Sequence, residues 1–529
     1  MRRVMIIGLD GAEPSLVEPW MNAGILPSLA QLRDTGSYFR CASTIPPATF
    51  PAWTTCVTGV NPGKHRLFDF TELVPGTYSL RFLNASFRGA PALWQILSAA
   101  GKRVGILGVP GTYPPEPVNG FMVSGFDTPV TTRIDRSFVY PKTLYPLARR
   151  WVFADFQESH ISARWHEQAL PKLLKAIDEK SSIVLELLKN DSWDFFMVVF
   201  GESDTVAHHF WLFHDERSPR YIPDPRFRHA IQDVYQKLDA AVGKILQKVG
   251  SDTLVIVVSD HGFGGAGDGI LYLNNFLADH AVLKFLPAAI GSNVMKRLAL
   301  RYVPASWQGK LFRKFQGVAE RMESRSRFAA IDWNATRAWS EELNYFPSVR
   351  INLKGREPNG QVDPHDYELF RNELIALLES WGPIRKAWRR EELYEGPFVE
   401  YAPDILLELQ LENGYSYSCL RSRPGGPCLR RITPEERLGG KEQGMNGNHR
   451  PTGVLFLSER VAETCTCLAD VAPTVLAALG IATPPMDGKS LLGNSPDHKR
   501  NFSAPSPIDY TPEQELIIEE RLRALGYLE

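Results

Sequence analysis

Short, nearly continuous apolar runs alternate along the chain with longer segments in which apolar residues recur every three or four positions. The short runs predict buried strands, and the longer period predicts amphipathic helices. The predicted strands are Val4–Leu9, Arg103–Val109, Phe195–Phe200, Thr253–Ser259, Ile405–Leu409 and Val454–Leu457. The predicted helices are Pro91–Ala100, Leu170–Lys189, Arg228–Val249, Tyr367–Trp381 and Leu468–Leu479. Because helices separate the apolar strands, we expect an α/β fold with a mostly parallel sheet that helices cover on both faces.

Three of the predicted strands run directly into residues that can bind a cation. The first strand is followed by Asp10, the third by Asp204, and the fourth by Asp260 and His261. In open parallel sheets, functional side chains gather at the carboxyl ends of the strands. We therefore expect these four side chains to lie close together at one edge of the sheet.

Further candidate ligands lie near two of the strands. His208 comes four residues after Asp204, so both side chains lie on one face of a helix and can bind the same metal ion. His209 points elsewhere and is expected to pack in the interior, whereas His449 lies in a loop just before the last predicted strand. Together the candidate metal ligands are Asp10, Asp204, His208, Asp260, His261 and His449. Six oxygen and nitrogen ligands without a thiolate are typical of zinc or manganese.

Thr49 is the candidate nucleophile, in the segment ATFPAWTTCVTG. Pro51 follows it, and the run to about Thr58 is compatible with a helix. Thr49 could simply be the N-cap of that helix. Alternatively, a metal ion could activate its hydroxyl for attack on phosphorus, and the N-terminus of the helix would offer backbone N–H groups to a phosphate. Two divalent ions about 4 Å apart are a known arrangement for phosphoryl transfer.

Five segments, in this order along the chain, resemble the alkaline phosphatase superfamily. They are IIGLDGA, ATFPAWTTCVTGVNPGKH, VVFGESDTVAHHF, VVSDHGFG and GNHRPTGVLFL. Within the superfamily, the chain is most similar to the type I phosphodiesterase/nucleotide pyrophosphatase-like branch, in its group of predicted phosphohydrolases or phosphomutases. The resemblance spans about residues 4–491. It implies a three-layer sandwich around a mostly parallel sheet, with an inserted α+β and helical cap.

The resemblance also implies how the site residues divide between two metal ions. One ion would be held by Asp10, Thr49, Asp260 and His261. The other would be held by Asp204, His208 and His449. Thr49 would then attack phosphorus in line and form a phosphothreonine, which water would hydrolyse.

One departure from the family pattern concerns the substrate. Relatives that cleave diesters carry Asn three residues after the nucleophile, whereas this chain has Ala52, which has no side-chain donor. We therefore expect monoesters to be favoured over diesters. Lys64, His65 and Arg66 lie downstream of Thr49 and are candidates for phosphate contact, although they could equally be ordinary surface residues.

Several alternatives stay open at this point. A phosphodiesterase or nucleotide pyrophosphatase, or a phosphomutase, would use the same ligand set. A different class would be a non-catalytic protein that binds a phosphorylated ligand or an anionic lipid, but the complete ligand set disfavours it. A sulfatase is disfavoured, since the segment from Thr49 to Trp53 lacks both the Cys or Ser that is modified and the following Arg.

Composition changes along the chain suggest five parts. Residues 1–280 form the first part of the catalytic core and 331–440 an α+β cap or lid; 441–495 close the core and carry the last metal histidine. Residues 496–529 form a tail with a helix at Pro512–Leu525. Residues 281–330 hold ten Lys or Arg and two acidic residues, a local charge of +8. This basic helical insertion could be a solvated cap, or it could face an anionic membrane surface or substrate.

The whole chain of 529 residues has a net charge of −1, which disfavours a nucleic acid polymer as the main partner. Six cysteines are too few for a disulfide framework. No apolar stretch of about 18 residues is present, and the first apolar run is too short for a signal peptide. We therefore expect a cytoplasmic enzyme that acts on a small phosphorylated substrate. Its oligomeric state cannot be predicted.

Overall fold

The computed structural model describes residues 2–125, 136–152, 161, 164–190, 192–287, 328, 330–342, 346–440, 443–462 and 466–493. The strands are β1 (Arg3–Leu9), β2 (Ser37–Ala42), β3 (Thr71–Leu73), β4 (Leu80–Phe82), β5 (Val104–Leu107), β6 (Gly120–Val123), β7 (Val139–Tyr140), β8 (Phe195–Phe200), β9 (Thr253–Val258), β10 (Gly262–Leu271), β11 (Ala338–Trp339), β12 (Ser348–Ile351), β13 (Ile384–Arg389), β14 (Ile405–Leu409), β15 (Leu411–Glu412), β16 (Tyr415–Cys419), β17 (Leu429–Arg431), β18 (Gly447–Arg450), β19 (Thr452–Leu457) and β20 (Thr466–Cys467). The α-helices are α1 (Pro14–Asn22), α2 (Pro27–Thr35), α3 (Thr49–Thr58), α4 (Pro62–His65), α5 (Leu93–Ala99), α6 (Tyr145–Ala148), α7 (Trp165–Asn190), α8 (Glu202–His214), α9 (Ala230–Lys248), α10 (Leu273–Asp279), α11 (Tyr367–Glu379), α12 (Arg390–Leu393) and α13 (Val471–Ala478).

Nine of the described strands form the largest sheet, in the order β20-β2-β19-β9-β1-β8-β5-β6-β7. Its five central strands, from β9 to β6, run parallel to one another. The strands β19 and β7 are antiparallel to their neighbours in the centre. The predicted parallel centre is therefore confirmed. The antiparallel direction of β19 and β7 was not predicted, because an apolar run does not indicate the direction of its strand.

Alternate residues of β1 enter two separate apolar cores. Met5, Ile7 and Leu9 belong to one core, whereas Val4 and Ile6 belong to the other. The first core is covered by α1, α2, α7, α8 and α9, and the second by α3, α5 and α13. The sheet thus lies between two helical layers, and the predicted three-layer α/β arrangement is confirmed.

A second region, between residues 331 and 440, contains a four-stranded antiparallel sheet of order β11-β12-β14-β13. Leu374 and Leu378 of α11 lie in the apolar core on this sheet. Ile405–Leu409 is a strand as predicted, but it belongs to this sheet and not to the parallel one. The domain boundaries of the sequence analysis stay predictions.

The five helices predicted within the described residues are all present, with shifted bounds. The helix predicted from Leu170 is α7, which begins earlier, at Trp165. The helix predicted over Arg228–Val249 is α9, which is two residues shorter at its start and one residue shorter at its end. The last predicted helix is divided into a 3₁₀ turn at Leu468–Asp470 and the α-helix α13. Such a turn is common at a helix N-terminus.

The strand β10 was not predicted, because its sequence GFGGAGDGIL is rich in glycine, which is rare in strands. The glycines are required by close neighbours. A Cβ atom on Gly262 would lie 2.1 Å from the carbonyl oxygen of Thr452, and one on Gly265 would lie 2.7 Å from Nε1 of Trp211. This strand starts directly after His261 and pairs with β18. It therefore joins two parts of the chain that carry candidate metal ligands.

Much of two predicted segments lies outside the described residues. Residues 288–327 and 329 of the basic insertion are among them, as is 494–529 with the helix predicted at Pro512–Leu525. The helical nature of both segments stays a prediction. In the part of the chain that the structure describes, no helix combines the length and the apolar character needed to cross a bilayer.

Candidate active site

The carboxyl ends of β1, β8 and β9 lie side by side in the centre of the large sheet, and the predicted ligands meet there. Asp10 follows β1, Asp204 lies in the first turn of α8 after β8, and Asp260 and His261 follow β9. His449 comes from the other end of the chain, because its strand β18 pairs with β10 opposite Phe263. The expected meeting of the strand ends is confirmed in space.

Asp10, Asp260 and His261 form one group. Nε2 of His261 lies 3.6 Å from Oδ1 of Asp10 and 3.3 Å from Oδ2 of Asp260. One oxygen of each carboxylate is held by a donor: Trp53 Nε1 donates to Asp10 Oδ2 at 2.9 Å, and the Gly11 N–H donates to Asp260 Oδ1 at 3.2 Å. The other oxygen of each is buried and has no hydrogen-bond partner within the described residues. Each carboxylate therefore presents one oxygen to the cluster.

Asp204, His208 and His449 form a second, adjoining group. Oδ1 of Asp204 lies 3.3 Å from Nε2 of His208 and 3.2 Å from Nε2 of His449. The two Nε2 atoms are 3.0 Å apart. The ring of His449 stacks on the ring of His261, with centroids 3.7 Å apart, and ligand atoms of Asp204, His261 and His449 all lie within 4.8 Å of one another. The two groups thus make one continuous cluster.

All three histidines are held in the same way. The Nδ1 atom of each ring contacts a backbone carbonyl, so Nδ1 carries the proton and the lone pair is on Nε2. The contacts are His208 with Gly447 O at 3.0 Å, His261 with Gly262 O at 3.0 Å, and His449 with Pro47 O at 2.9 Å. The lone pairs consequently point into the cluster, which is how histidine is oriented when it binds a metal.

Burial shapes the electrostatics of the cluster. Burial, and secondarily the charge of Asp204, raises the pKa of Asp10 well above its ordinary value; burial and the charge of Asp10 do the same for the pKa of Asp260. Burial acts in the same direction on Asp204, but His208 and His449 outweigh it and hold the pKa of Asp204 well below its ordinary value. Burial also lowers the pKa of His449. Two carboxylates buried side by side, as those of Asp10 and Asp260 are, favour a bound cation.

The donor set therefore fits divalent metal ions. Within this cluster, one buried oxygen of each carboxylate has no hydrogen-bond partner among the described residues, namely Asp10 Oδ1, Asp204 Oδ1 and Asp260 Oδ2. Native structures rarely leave such atoms unpaired unless an ion or a water is bound to them. Together with three imidazole nitrogens, these oxygens provide ligands for metal ions of hard or borderline character.

Thr49 lies beside the cluster, as the first residue of α3. Its Oγ1 is 3.4 Å from Nε2 of His261, and its side chain is buried. The prediction that a helix runs from Thr49 to about Thr58 is confirmed. The alternative that Thr49 is the N-cap is wrong: the N-cap is Ala48, and the Thr49 hydroxyl makes no capping hydrogen bond. The hydroxyl is therefore directed to the ligands instead of its own helix.

The structure does not place the three other predicted contact residues in the cluster. Each of them has a partner elsewhere: Lys64 forms an ion pair, His65 shares a hydrogen bond at 2.9 Å, and Arg66 forms a buried ion pair at 2.7 Å. Their partners are, in this order, Asp487, Thr55 and Glu72. These contacts lend no support to the prediction that the three residues bind phosphate.

Two serines that the sequence analysis did not single out connect the loops of the site. Ser203 Oγ donates to the carbonyl of Asp10 at 2.6 Å. Ser259 Oγ accepts from the Ala12 N–H at 2.7 Å and donates to the carbonyl of His261 at 2.6 Å. Both serines are fully buried next to ligand residues. The only sequence signal was a small polar residue at the end of an apolar strand.

A buried ion pair lies behind the cluster. Lys180 Nζ of α7 is 2.7 Å from Oε1 of Glu202, the first residue of α8, and both side chains are buried. Glu202 also follows the strand β8. Its side chain pairs with Lys180 and is not part of the cluster of candidate ligands, to which Asp204 belongs. His209, on the next face of α8, packs against Trp165 with ring centroids 4.5 Å apart, as predicted for an interior residue.

Comparison with solved structures finds chains that this protein resembles in fold. A phosphonoacetate hydrolase from Sinorhizobium meliloti 1021, in complex with phosphonoformate, is 15% identical with a TM-score of 0.53; the match covers 90% of this chain and 96% of that one. Murine ectonucleotide pyrophosphatase / phosphodiesterase 5 is 12% identical with a TM-score of 0.49, and the match covers 92% and 97% of the two chains.

A comparison with curated proteins gives no match. The family model for type I phosphodiesterase / nucleotide pyrophosphatase, in contrast, matches residues 4–423. This range includes the first strand, Thr49, the ligands on α8 and those that follow β9. The chain therefore belongs to the type I phosphodiesterase / nucleotide pyrophosphatase family, whose members are phosphoryl hydrolases.

Proposed function

We propose that this protein hydrolyses phosphate esters with two divalent metal ions and with Thr49 as nucleophile, and that it favours monoesters over diesters. One observation carries the proposal. Three buried carboxylate oxygens and three oriented histidine nitrogens form one cluster beside the hydroxyl of Thr49, in which neighbouring ligand atoms lie between 3.0 and 3.6 Å apart. Burying these polar groups together lowers the stability of the fold, so a purely structural role does not explain the arrangement. The arrangement is suited to phosphoryl transfer.

The two groups of ligands would each hold one ion. Asp10, Asp260 and His261, with the Thr49 hydroxyl, would hold the first ion. Asp204, His208 and His449 would hold the second. Bound there, the cations would supply positive charge for the phosphoryl oxygens and lower the pKa of a nearby hydroxyl. We propose zinc, with manganese as the alternative, because three carboxylates and three imidazoles suit either ion.

The chain's own residues account for the rest of the reaction. Oγ1 of Thr49 gives its proton to water and forms a bond to phosphorus, while the bond from phosphorus to the ester oxygen breaks; the leaving oxygen keeps the electron pair and takes up a proton from water to give the alcohol. Thr49 begins a helix of ten residues, and the first N–H groups of a helix have no acceptor within it, so they can bind the phosphoryl oxygens. Water then hydrolyses the phosphothreonine to phosphate and restores the hydroxyl.

The preference for monoesters rests on Ala52. It lies three residues after Thr49 in α3, is fully buried, and offers only a methyl group. Nothing at this position can donate a hydrogen bond to a phosphoryl oxygen. Cleavage of a diester or a nucleotide pyrophosphate bond is the second candidate function, because the family description favours it. The phosphonate in the phosphonoacetate hydrolase structure agrees with a small phosphorylated substrate. A location in the cytoplasm and docking of residues 281–330 to an anionic membrane surface stay predictions.

The test uses two substrates, 4-nitrophenyl phosphate and methyl 4-nitrophenyl phosphate. The full chain is stripped of metal, reconstituted with zinc or with manganese, and compared with Thr49→Ala and Thr49→Ser. Release of 4-nitrophenolate from the monoester, lost in Thr49→Ala and partly kept in Thr49→Ser, supports the proposal. Faster turnover of the diester would support the second candidate function. Metal binding without hydrolysis of either compound would contradict the proposed hydrolase.

A further inference from the structure

We propose that Trp53 is a positioning residue, which holds the metal ligand Asp10 in register with the helix that carries Thr49. The inference rests on the proposed function, since it takes Asp10 to be a metal ligand. It concerns a side chain that touches neither the predicted substrate nor the ions. Trp53 is fully buried, and Nε1 of its indole donates to Oδ2 of Asp10 at 2.9 Å.

The two elements face each other through the side chains concerned. Thr49 and Trp53 are four residues apart on α3, so they lie on the same face of the helix. Gly8 lies in β1, and Asp10 directly follows the last residue of that strand. Because the two residues are two positions apart, they lie on the same face of the sheet. The indole consequently spans from the helix, across Gly8, to the carboxylate of Asp10.

Gly8 leaves the space that the indole occupies. A Cβ atom at this position would lie 2.5 Å from Cη2 of Trp53 and 2.8 Å from Cγ2 of Val199. Both distances are shorter than any normal contact, so even alanine would displace the ring or the strand. The fit between Gly8 and Trp53 therefore sets the distance between α3 and the end of β1.

The hydrogen bond also decides which oxygen of Asp10 faces the cluster. Because Oδ2 accepts from Trp53, the free oxygen is Oδ1, which lies 3.6 Å from Nε2 of His261. Without the indole N–H, Oδ2 would be buried and unpaired, and the carboxylate could rotate. Groups that orient metal ligands typically change metal affinity by 10- to 100-fold when they are removed.

The experiment measures zinc binding to Trp53→Phe, with Trp339→Phe as matched control. Trp339 is also fully buried, but it lies in β11 of the second region, and its indole nitrogen has no hydrogen-bond partner among the residues described. Zinc affinity and stoichiometry are determined by competition with a chromophoric chelator, and the unfolding of each metal-free protein is followed by circular dichroism. We expect Trp53→Phe to weaken one of two zinc sites by about tenfold or more, and Trp339→Phe to leave both unchanged.

The outcomes separate this inference from the proposed function. Wild-type protein that binds no zinc and no manganese would overturn both. If the wild-type protein binds metal, and Trp53→Phe binds it with the same affinity as Trp339→Phe, the role of Trp53 alone would be overturned. Gly8→Ala provides a second test, because it keeps the indole N–H but displaces the ring. It should also weaken one site, and unchanged affinity in a folded Gly8→Ala protein would contradict the spacing role.

Discussion

Two fully buried aspartates, one in each region of the molecule, have opposite surroundings. Asp404 in the second region accepts hydrogen bonds from both Nη atoms of Arg356 at 2.7 Å, from the Tyr367 hydroxyl at 2.8 Å and from the Ile351 N–H at 2.7 Å. Burial raises the pKa of Asp404, but the Arg356 guanidinium outweighs it, so the pKa lies below its ordinary value. Asp260 has no such cation, and its pKa is raised.

The difference shows how a structural carboxylate can be distinguished from a functional one. Both side chains are completely inaccessible to solvent, so burial alone does not separate them. Asp404 is paired by residues of its own region and holds that region together. Asp260 keeps one oxygen unpaired within the described residues, next to the oxygen of Asp10. An unpaired buried carboxylate lowers stability, and proteins keep such groups at functional sites.

The largest effect that we expect is on turnover. Replacement of Thr49 by alanine removes the proposed nucleophile and should reduce turnover of 4-nitrophenyl phosphate by about a thousandfold or more. Asp404→Asn, in contrast, should leave turnover of the folded protein close to that of the wild type. Initial rates at saturating zinc check both expectations. Residual activity in Thr49→Ala above a tenth of the wild-type rate would show that another group attacks phosphorus.

Asp404→Asn should instead affect stability. The substitution removes one carboxylate from the guanidinium of Arg356, whose Nε stays 2.8 Å from Oε1 of Glu357, and breaking a buried pair costs about 3 kcal/mol at the lower end of the usual range. We choose the lower end because the Arg356 side chain is 29% exposed. Urea unfolding of the metal-free protein measures the loss. A free energy of unfolding within 0.5 kcal/mol of wild type, roughly the effect of an ordinary surface substitution, would remove the distinction between the two aspartates.

Asp260→Asn should produce the opposite pattern. The substitution removes a charge that faces Asp10, so we expect the metal-free protein to be as stable as the wild type or more stable. Zinc affinity of one site should fall roughly a hundredfold, because a direct ligand is lost. Chelator competition and urea unfolding are measured on the same preparation. Unchanged zinc affinity would show that Asp260 is not a ligand.

The smallest effect concerns His65, a buried histidine near the site that has partners on both ring nitrogens, Thr55 Oγ1 and the Leu67 N–H. Burial lowers its pKa to about 3. Since the unfolded chain takes up a proton near pH 6.5 and the folded protein does not, His65 contributes stability above that pH, and the contribution is lost as the pH falls from about 6.5 toward 3. The loss from this group is at most about 1.4 kcal/mol per pH unit.

His65→Asn tests this pH dependence. Asparagine can still accept from the Leu67 N–H, but it does not titrate. The free energy of unfolding of the metal-free variant should fall less steeply than that of the wild type between pH 6.5 and 5. Parallel slopes for the two proteins would show that His65 is protonated in the folded state. A shallower slope for the variant would indicate that His65, like Asp404, is a buried group that stabilises the fold because it is paired.

Much of the site follows from local sequence. Asp10, Asp204 and Asp260 follow apolar runs, and the residue types themselves indicate oxygen and nitrogen ligands. The helix spacing of Asp204 and His208 is equally local. The strand β10 was missed because glycine has no strand propensity of its own, and its conformation depends on the close approach of other strands. The pair of Lys180 and Glu202 was missed because its members come from different helices.

By itself, the sequence determined the α/β class, the positions of four of the five central strands (β1, β5, β8 and β9) and of the helices α5, α7, α9, α11 and α13, and it indicated the six candidate ligand residues and the candidate nucleophile beside them. Only the tertiary structure decided which atoms of those residues are held and which stay free for a metal ion. The reason is that the partners of buried polar atoms are distant in sequence. Trp53 reaches Asp10 from 43 residues away, and the Gly447 carbonyl orients His208 from 239 residues away. Such contacts leave no local pattern, because they depend on how the strands and helices pack.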